Sequence, residues 1–253
     1  MHMEQKARIA KILDLLQERQ SLTLPDLTSY FGISKDTARR DILKLVEQDL
    51  AERTRGGVTL PKLKQQIENY TDRLIQHSHA KQRIAKRAAS LIHDKHTVWL
   101  DVSTTVQLIS EHLATPDTFL VTNSVDNALS FSKQKQRIYL LGGFFHADFH
   151  LLNGASTIAQ IQHFHFDVAF IGASGITNQG IFYPEFDDIQ LHQAISDNAS
   201  KTYLLIDSSK FHVTTNFKMD FTGIDAIITN SPIPKTLLDT LKEQNIACII
   251  EGE

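Results

Sequence analysis

The stretch Ser34–Leu50, SKDTARRDILKLVEQDL, reads as one helix with a capped start and a basic first half. Ser34 suits the N-cap position, because its hydroxyl can accept a hydrogen bond from a backbone N–H that has no partner inside the helix. Ala38, Ile42, Leu45 and Val46 recur at the spacing of one buried face. Lys35, Thr37, Arg39, Arg40 and Lys44 occupy other positions around the helix. That outer surface suits the major groove of DNA, where arginine grips guanine or phosphate and threonine touches a thymine methyl group. The same pattern also fits an ordinary solvated face, so the flanking sequence has to decide.

Upstream, residues 6–19 (KARIAKILDLLQER) carry Ile9, Ile12, Leu13 and Leu16 on one helical face. Thr23 offers a second N-cap, with Pro25 in the first turn and Asp26 in the capping-box position. The short helix that follows, Leu24 to Phe31, meets a stop at Gly32. Downstream, in AERTRGGVTL, two short extended runs flank Thr54, Arg55, Gly56 and Gly57, the pattern of a small β-hairpin. Arg53 and Arg55 on this wing are placed to reach a phosphate or the minor groove. Helix, short helix, tight turn, basic helix and hairpin together make a winged helix-turn-helix.

Composition sets the frame around this module. A chain of 253 residues suggests two domains, and 42% hydrophobic with 22% charged residues is ordinary for a globular protein. No apolar run approaches the roughly 18 residues of a membrane span. The polar N-terminus lacks a secretory signal, so a cytoplasmic protein is expected. The one cysteine, Cys248, rules out an internal disulfide and a cysteine-rich zinc site; its setting, IACII, predicts a buried strand position. The net charge of −3 does not point to nucleic acid. Through Leu60, however, 10 Lys and Arg face 9 Asp and Glu, against 16 and 20 in the remainder. Binding DNA needs a local basic face rather than a basic total.

We therefore expect a DNA-binding domain over 1–60, a polar linker over 61–75 and a second domain over 76–253. In the last, KQRIAKRAASLI reads as an amphipathic helix. Strands are predicted near 97–102, 117–122, 137–141, 167–172, 202–207, 225–229 and 246–250. Helices are predicted near 104–113, 125–133, 155–163, 186–199 and 234–244. This alternation implies an α/β domain with a mostly parallel sheet, whose ligands bind at the carboxyl ends of the strands. Small polar residues collect at those ends. Ser103, Thr104 and Thr105 begin a helix and make a plausible phosphate cradle. Asn123 and Ser124, Gly142 and Gly143, Gly172 and Gly175, and Asp207 and Lys210 follow four further strands. Each taken singly is also what a simple helix cap or turn looks like.

Arg8 with its spaced apolar residues, SKDTARRDI and RTRGGV resemble the DeoR family of bacterial winged-helix transcriptional regulators. Ala38 stands where that family more often has isoleucine or valine. By the same resemblance Asp41 is structural, orienting an arginine or capping a neighbouring helix. The strand-end motifs resemble the family's C-terminal sensor domain, which is related to ribose-5-phosphate isomerase. The resemblance thus covers nearly the whole chain. It implies a phosphorylated sugar as effector and double-stranded operator DNA as partner. One such module buries too little surface for tight specific binding, so a homo-oligomer (dimer or tetramer) is expected. No cofactor is expected. Carried over, the effector site is Asp101, Ser103, Thr104, Thr105, Thr122, Asn123, Ser124, Gly142, Gly143 and Lys210. Two departures stand out: Val102–Ser103 replaces a usual glycine, and His192 stands about where a lysine is common.

Isomerase chemistry needs a positioned carboxylate base, and the loop GASGITNQG has none, although Asp187 and Asp188 lie further on. A regulator rather than an enzyme is expected. The alternatives are an isomerase-like enzyme carrying a DNA-binding module, and a regulator whose effector site has diverged. The twelve histidines are scattered, with close spacings only in pairs such as His77/His79, His146/His150 and His163/His165. Without cysteine or a third converging ligand, no metal site is expected.

Overall fold

The computed structural model describes residues 5–19, 21–47, 50–54, 56–59, 78–147 and 149–251. Contacts divide the chain into two compact units, Met1–Ile67 and Glu68–Glu253. The expected linker, 61–75, lies outside the described residues.

In the first unit, α1 (Gln5–Arg19), α2 (Leu24–Phe31) and α3 (Lys35–Glu47) surround a core of Ile12, Leu16, Leu27, Ala38, Ile42 and Leu45. Thr23 and Asp26 form the expected capping box, and Gly32 ends α2 in the left-handed region at φ 61°. The wing strands β2 (Glu52–Arg53) and β3 (Gly57–Thr59) are joined by a strand that sequence did not suggest, β1 (Ser21–Thr23). β1 pairs antiparallel with β3, so the wing is stitched to the loop before α2. Gly57 permits this approach: a Cβ there would stand 2.0 Å from the Leu22 carbonyl oxygen and 2.7 Å from the Thr23 Cα. Gly57→Ala is accordingly expected to part β3 from β1 and destabilise this unit by about 1–3 kcal/mol. An unchanged urea midpoint would show that the wing is not held this way.

The second unit is an α/β layer structure built on seven parallel strands. The strands are β4 (Thr97–Leu100), β5 (Phe119–Thr122), β6 (Arg137–Leu140), β9 (Val168–Ile171), β12 (Thr202–Leu205), β14 (Ala226–Thr229) and β15 (Ala247–Ile250), in the order β15-β14-β12-β9-β4-β5-β6. All seven correspond to predicted strands. The helices are α4 (Ser78–Ala89), α5 (Thr104–Gln107) with a 3-10 turn to Glu111, α6 (Val125–Ser132), α7 (Ala155–Ile161), α8 (Phe186–Asp197) and α9 (Lys235–Glu243). Smaller pieces were not foreseen: the hairpin β7 (Phe144–His146) with β8 (Leu151–Asn153), and an antiparallel sheet of β10 (Gly175–Thr177), β11 (Gly180–Tyr183) and β13 (Phe217–Met219).

One core lies on each face of the large sheet. Trp99, Phe166, Ile171, Ile195 and Ile227 belong to one, and Ile84, Leu100, Phe131 and Phe170 to the other. The central strand β9, VAFI, is buried along its whole length, so it reads as a continuous apolar run. Each large side chain buried this way contributes about 1.5–3 kcal/mol. Cys248 departs from expectation: β15 is an edge strand, and its thiol is only half-buried. Among the described residues, no helix is long and apolar enough to cross a membrane.

Candidate functional site

The basic helix α3 is fixed at its start by Ser34, whose Oγ accepts the Thr37 N–H at 3.2 Å and lies 2.9 Å from the Thr37 hydroxyl. Ala38, Asp41, Ile42 and Leu45 turn inward. Lys35, Arg39, Arg40 and Lys44 remain exposed, and Thr37 is half-buried. Arg39 meets Asp36 at 3.5 Å, an exposed pair of the kind that contributes little and leaves the guanidinium free to rearrange. Arg53 is exposed on β2, and a groove lined by Lys35, Arg39, Leu43, Arg53 and Thr54 runs between α3 and the wing. Arg55 lies outside the described residues.

Asp41 is the one acid of α3 turned into the core, and it is fully buried. Its carboxylate accepts from Arg8 Nε at 2.6 Å, Arg8 Nη2 at 3.1 Å and Gln5 Nε2 at 3.0 Å. The hydrogen bond to Asp41 raises the Arg8 guanidinium further above its ordinary value. This bridge ties α1 to the back of α3 and keeps a negative charge off the outer basic surface.

In the second unit the strand order reverses between β4 and β9: the chain runs outward from β4 to β6, then returns to β9 and runs the other way. A crevice at the carboxyl ends of such a pair is where ligands bind in open parallel sheets. Asp101 follows β4 and Gly172 follows β9. Asp101 Oδ2 accepts the Gly172 N–H at 2.8 Å and faces His192 Nε2 of α8 at 3.0 Å. A Cβ on Gly172 would lie 2.7 Å from the Ser103 Cβ, so only glycine lets the two loops close together.

Asp101 and His192 are both buried, at 4% exposure each. Burial alone pushes the imidazole pKa down, but the Asp101 carboxylate outweighs it and the net direction is up. Burial likewise pushes the Asp101 carboxyl up, and His192 together with the Gly172 N–H brings it below its ordinary value. Both directions favour the charged pair, an imidazolium facing a carboxylate. The His192 Nδ1 lies near the Asp188 backbone carbonyl without a hydrogen bond of normal geometry. Tyr183 stacks on the imidazole at 4.4 Å and donates its hydroxyl to the Gly172 carbonyl at 2.9 Å. Burial, with the negative charges of Asp101 and Asp188, holds that phenol well above its usual range. Burial also pushes Asp188 up to about 6, with His192 opposing.

The other predicted residues sit at the same edge of the sheet. Ser103 caps α5 through the Thr105 N–H at 3.3 Å, and Thr104 and Thr105 are buried in its first turn. Thr122 donates to the Leu100 carbonyl at 2.6 Å and accepts the Ser124 N–H at 3.0 Å. Ser124 caps α6 through the Asn127 N–H at 3.1 Å. Asn123 donates to the Leu152 carbonyl at 3.0 Å, and its buried Oδ1 has no partner among the described residues. The Gly142 carbonyl accepts from Thr157 Oγ1 at 2.8 Å, and Gly143 lies against Thr157 and Asn153. Lys210 is half-buried at the end of the 3-10 turn after β12 and makes no ion pair with Asp207, whose carboxylate accepts from Ser209 instead.

Sequence reasoning missed Tyr183 and Asn127. The Asn127 Nδ2 spans the Asp101 carbonyl at 2.9 Å, the Leu100 carbonyl at 3.3 Å and Thr122 Oγ1 at 3.2 Å, binding the β4 and β5 ends together. Neither residue carries a local signal: one ends an unforeseen strand, the other looks like any polar helix residue. His150 pairs with Asp126 at 2.9 Å, and no group of three metal-binding side chains occurs among the described residues.

Comparison with known proteins finds two families along the chain. A family described as the DeoR C terminal sensor domain matches residues 76–231, and the DeoR-like helix-turn-helix domain matches residues 8–64. The HTH-type transcriptional repressor GlcR of Bacillus subtilis (strain 168) is 36% identical over 250 residues, covering 98% of this chain and 97% of that protein. The glycerol-3-phosphate regulon repressor of Escherichia coli (strain K12) is 29% identical over 249 residues, covering 96% and 98%. Among solved structures, ribose 5-phosphate isomerase A from Methanocaldococcus jannaschii is similar over 54% of this chain and 55% of its own, with TM-score 0.39 and 18% identity. The eIF2B delta structure from Chaetomium thermophilum covers 87% and 70%, with TM-score 0.47 and 11% identity. These two likenesses are distant and say nothing about chemistry. With both domain families matched in order and a repressor aligned over almost its full length, the chain belongs to the DeoR family of helix-turn-helix transcriptional regulators.

Proposed function

We propose that this protein is a repressor that binds double-stranded operator DNA as a homo-oligomer, dimer or tetramer, and releases it on taking up a phosphorylated sugar. The operon it controls serves carbohydrate uptake or catabolism. What supports the sensing half is the strand-order reversal between β4 and β9, where Asp101, Ser103 and Gly172 meet beside the Thr104–Thr105 helix start. Backbone N–H groups there favour an anion. Lys210, without an ion pair among the described residues, supplies a positive charge for the phosphate. The His192–Asp101 pair presents a fixed carboxylate to sugar hydroxyls. Thr122 and Ser124 act by shaping the loop, since their hydroxyls are already engaged. The segment 172–180 carries no carboxylate base, which favours a regulator over an isomerase.

On the DNA side, Lys35, Thr37, Arg39, Arg40 and Lys44 meet the major groove while Arg53 and Arg55 hold the backbone. Arg40→Ala is expected to weaken operator binding by about 1–3 kcal/mol. A lost base contact relaxes sequence preference, whereas a lost phosphate contact flattens the salt dependence. Unchanged affinity and salt slope would remove Arg40 from the interface. The sensing half is tested by titrating phosphorylated sugars into the complex with DNA upstream of the protein's own operon. Release by one phosphorylated sugar, but not by its unphosphorylated parent, is the expected result. Specific binding that no sugar phosphate alters would favour the reading in which the effector site has diverged.

A further inference from the structure

Nine large hydrophobic side chains are exposed among the described residues, and four of them, Tyr139, Leu140, Phe144 and Phe145, fall within seven consecutive positions. The first two are on β6, the last strand of the large sheet, whose outer edge has no strand partner among the described residues. The others are on β7, paired only with β8. Adjacent residues of a strand point to opposite faces, yet Phe144 is 78% and Phe145 57% exposed, so both faces of this ribbon stand open. A two-stranded ribbon is marginal alone in water. Leu129, 59% exposed, adds to the surface from α6, which packs on β6.

We propose that β6 and the β7–β8 hairpin form the surface through which two copies of this chain associate, with β6 running antiparallel to β6 of the second copy. This rests on the homo-oligomeric reading above. Antiparallel pairing of one strand with itself across a two-fold axis is self-complementary, as a closed dimer requires. It carries each hairpin, which leaves the carboxyl end of β6, to the opposite end of the other copy's strand. That end is basic: Lys133, Lys135 and Arg137 precede or begin β6. Cations over phenyl rings attract, so the aromatic hairpin and the basic strand start are complementary, and a second copy supplies both. The exposed apolar side chains amount to roughly 500 Å², as expected when one aromatic side chain buries about 150–250 Å². A standard interface takes about 800 Å² per partner with a polar rim around its core.

The test is the solution mass of the full chain, measured by sedimentation and light scattering, for wild type, Phe144→Lys/Phe145→Lys and the opposite-edge control Ile250→Lys. Circular dichroism and the fluorescence of Trp99 verify that each folds. A wild-type oligomer that the double change breaks to half its mass, weakening association at least about tenfold, while Ile250→Lys keeps the wild-type mass, is the expected result. The milder Phe144→Ala is expected to weaken association in the same direction if the double change disturbs folding. An oligomer that survives the changes at Phe144 and Phe145 overturns this surface and leaves the homo-oligomeric reading standing. A wild type that is monomeric throughout overturns both.

Discussion

Arg8→Met is expected to destabilise the N-terminal unit by about 3–5 kcal/mol, because it leaves the Asp41 carboxylate buried with its charge uncompensated. Asp41 is completely buried, and among the described residues it accepts from Arg8 Nε and Nη2 and from Gln5 Nε2. A unit of some sixty residues has little stability to lose, so most molecules should carry an unfolded DNA-binding unit at 37 °C. The protein's one tryptophan, Trp99, lies in the sensor unit. Loss of helical circular dichroism in urea before any change in Trp99 fluorescence therefore assigns the damage to the first unit. Arg8→Met/Asp41→Leu should recover much of the loss, since an apolar pair needs no partner charge. A single variant as stable as wild type would mean that Gln5 and solvent suffice for Asp41, and that the bridge is incidental.

The second large effect belongs to His192. His192→Leu removes the imidazolium that faces Asp101 at 3.0 Å and is expected to cost the sensor unit about 3–5 kcal/mol near neutral pH. The pH dependence carries a sign. A histidine whose folded pKa lies above its ordinary 6.5 contributes stability fully present below that value and lost as pH rises through the folded pKa. Asp188, raised from 3.8 to about 6, acts in the same direction: its contribution fades as pH rises from about 4 through 6. Asp101, lowered below 3.8, contributes above that value and loses its share only as pH falls through its folded pKa. These groups together favour mildly acidic solution. Melting followed by Trp99 fluorescence should shift to lower temperature between pH 6 and 9 in wild type, with a flatter profile in His192→Leu. A wild-type melting temperature that climbs over that range, or a slope the variant leaves untouched, would contradict the paired imidazolium.

Much of this was legible along the chain. The cap at Ser34, the capping box of Thr23 and Asp26, and the stop at Gly32 are local chemistry, decided within a turn of helix. The seven strands of the large sheet were readable because short apolar runs, separated by amphipathic helices, have few other ways to be buried. Residues over short spans also dictated the basic outer surface of α3 and the small polar residues at the strand ends.

What only the tertiary structure decided is which distant residues meet. Ser21–Thr23 carries too few residues for a strand signal and becomes β1 because Gly57 lets β3 approach it. The family resemblance marks Asp41 as structural, but that its partner is Arg8, 33 residues earlier, is fixed only by the packing of α1 against α3. Asp101 and His192 lie 91 residues apart and become an ion pair only when the sheet order reverses between β4 and β9. Tyr183 is invisible as a site residue until β11 brings its ring onto His192. The physical reason is the same in each case. Caps, turns and periodicity are settled by neighbours in sequence, whereas the burial and pairing of a charge depend on packing between elements that the chain brings together only after it has folded.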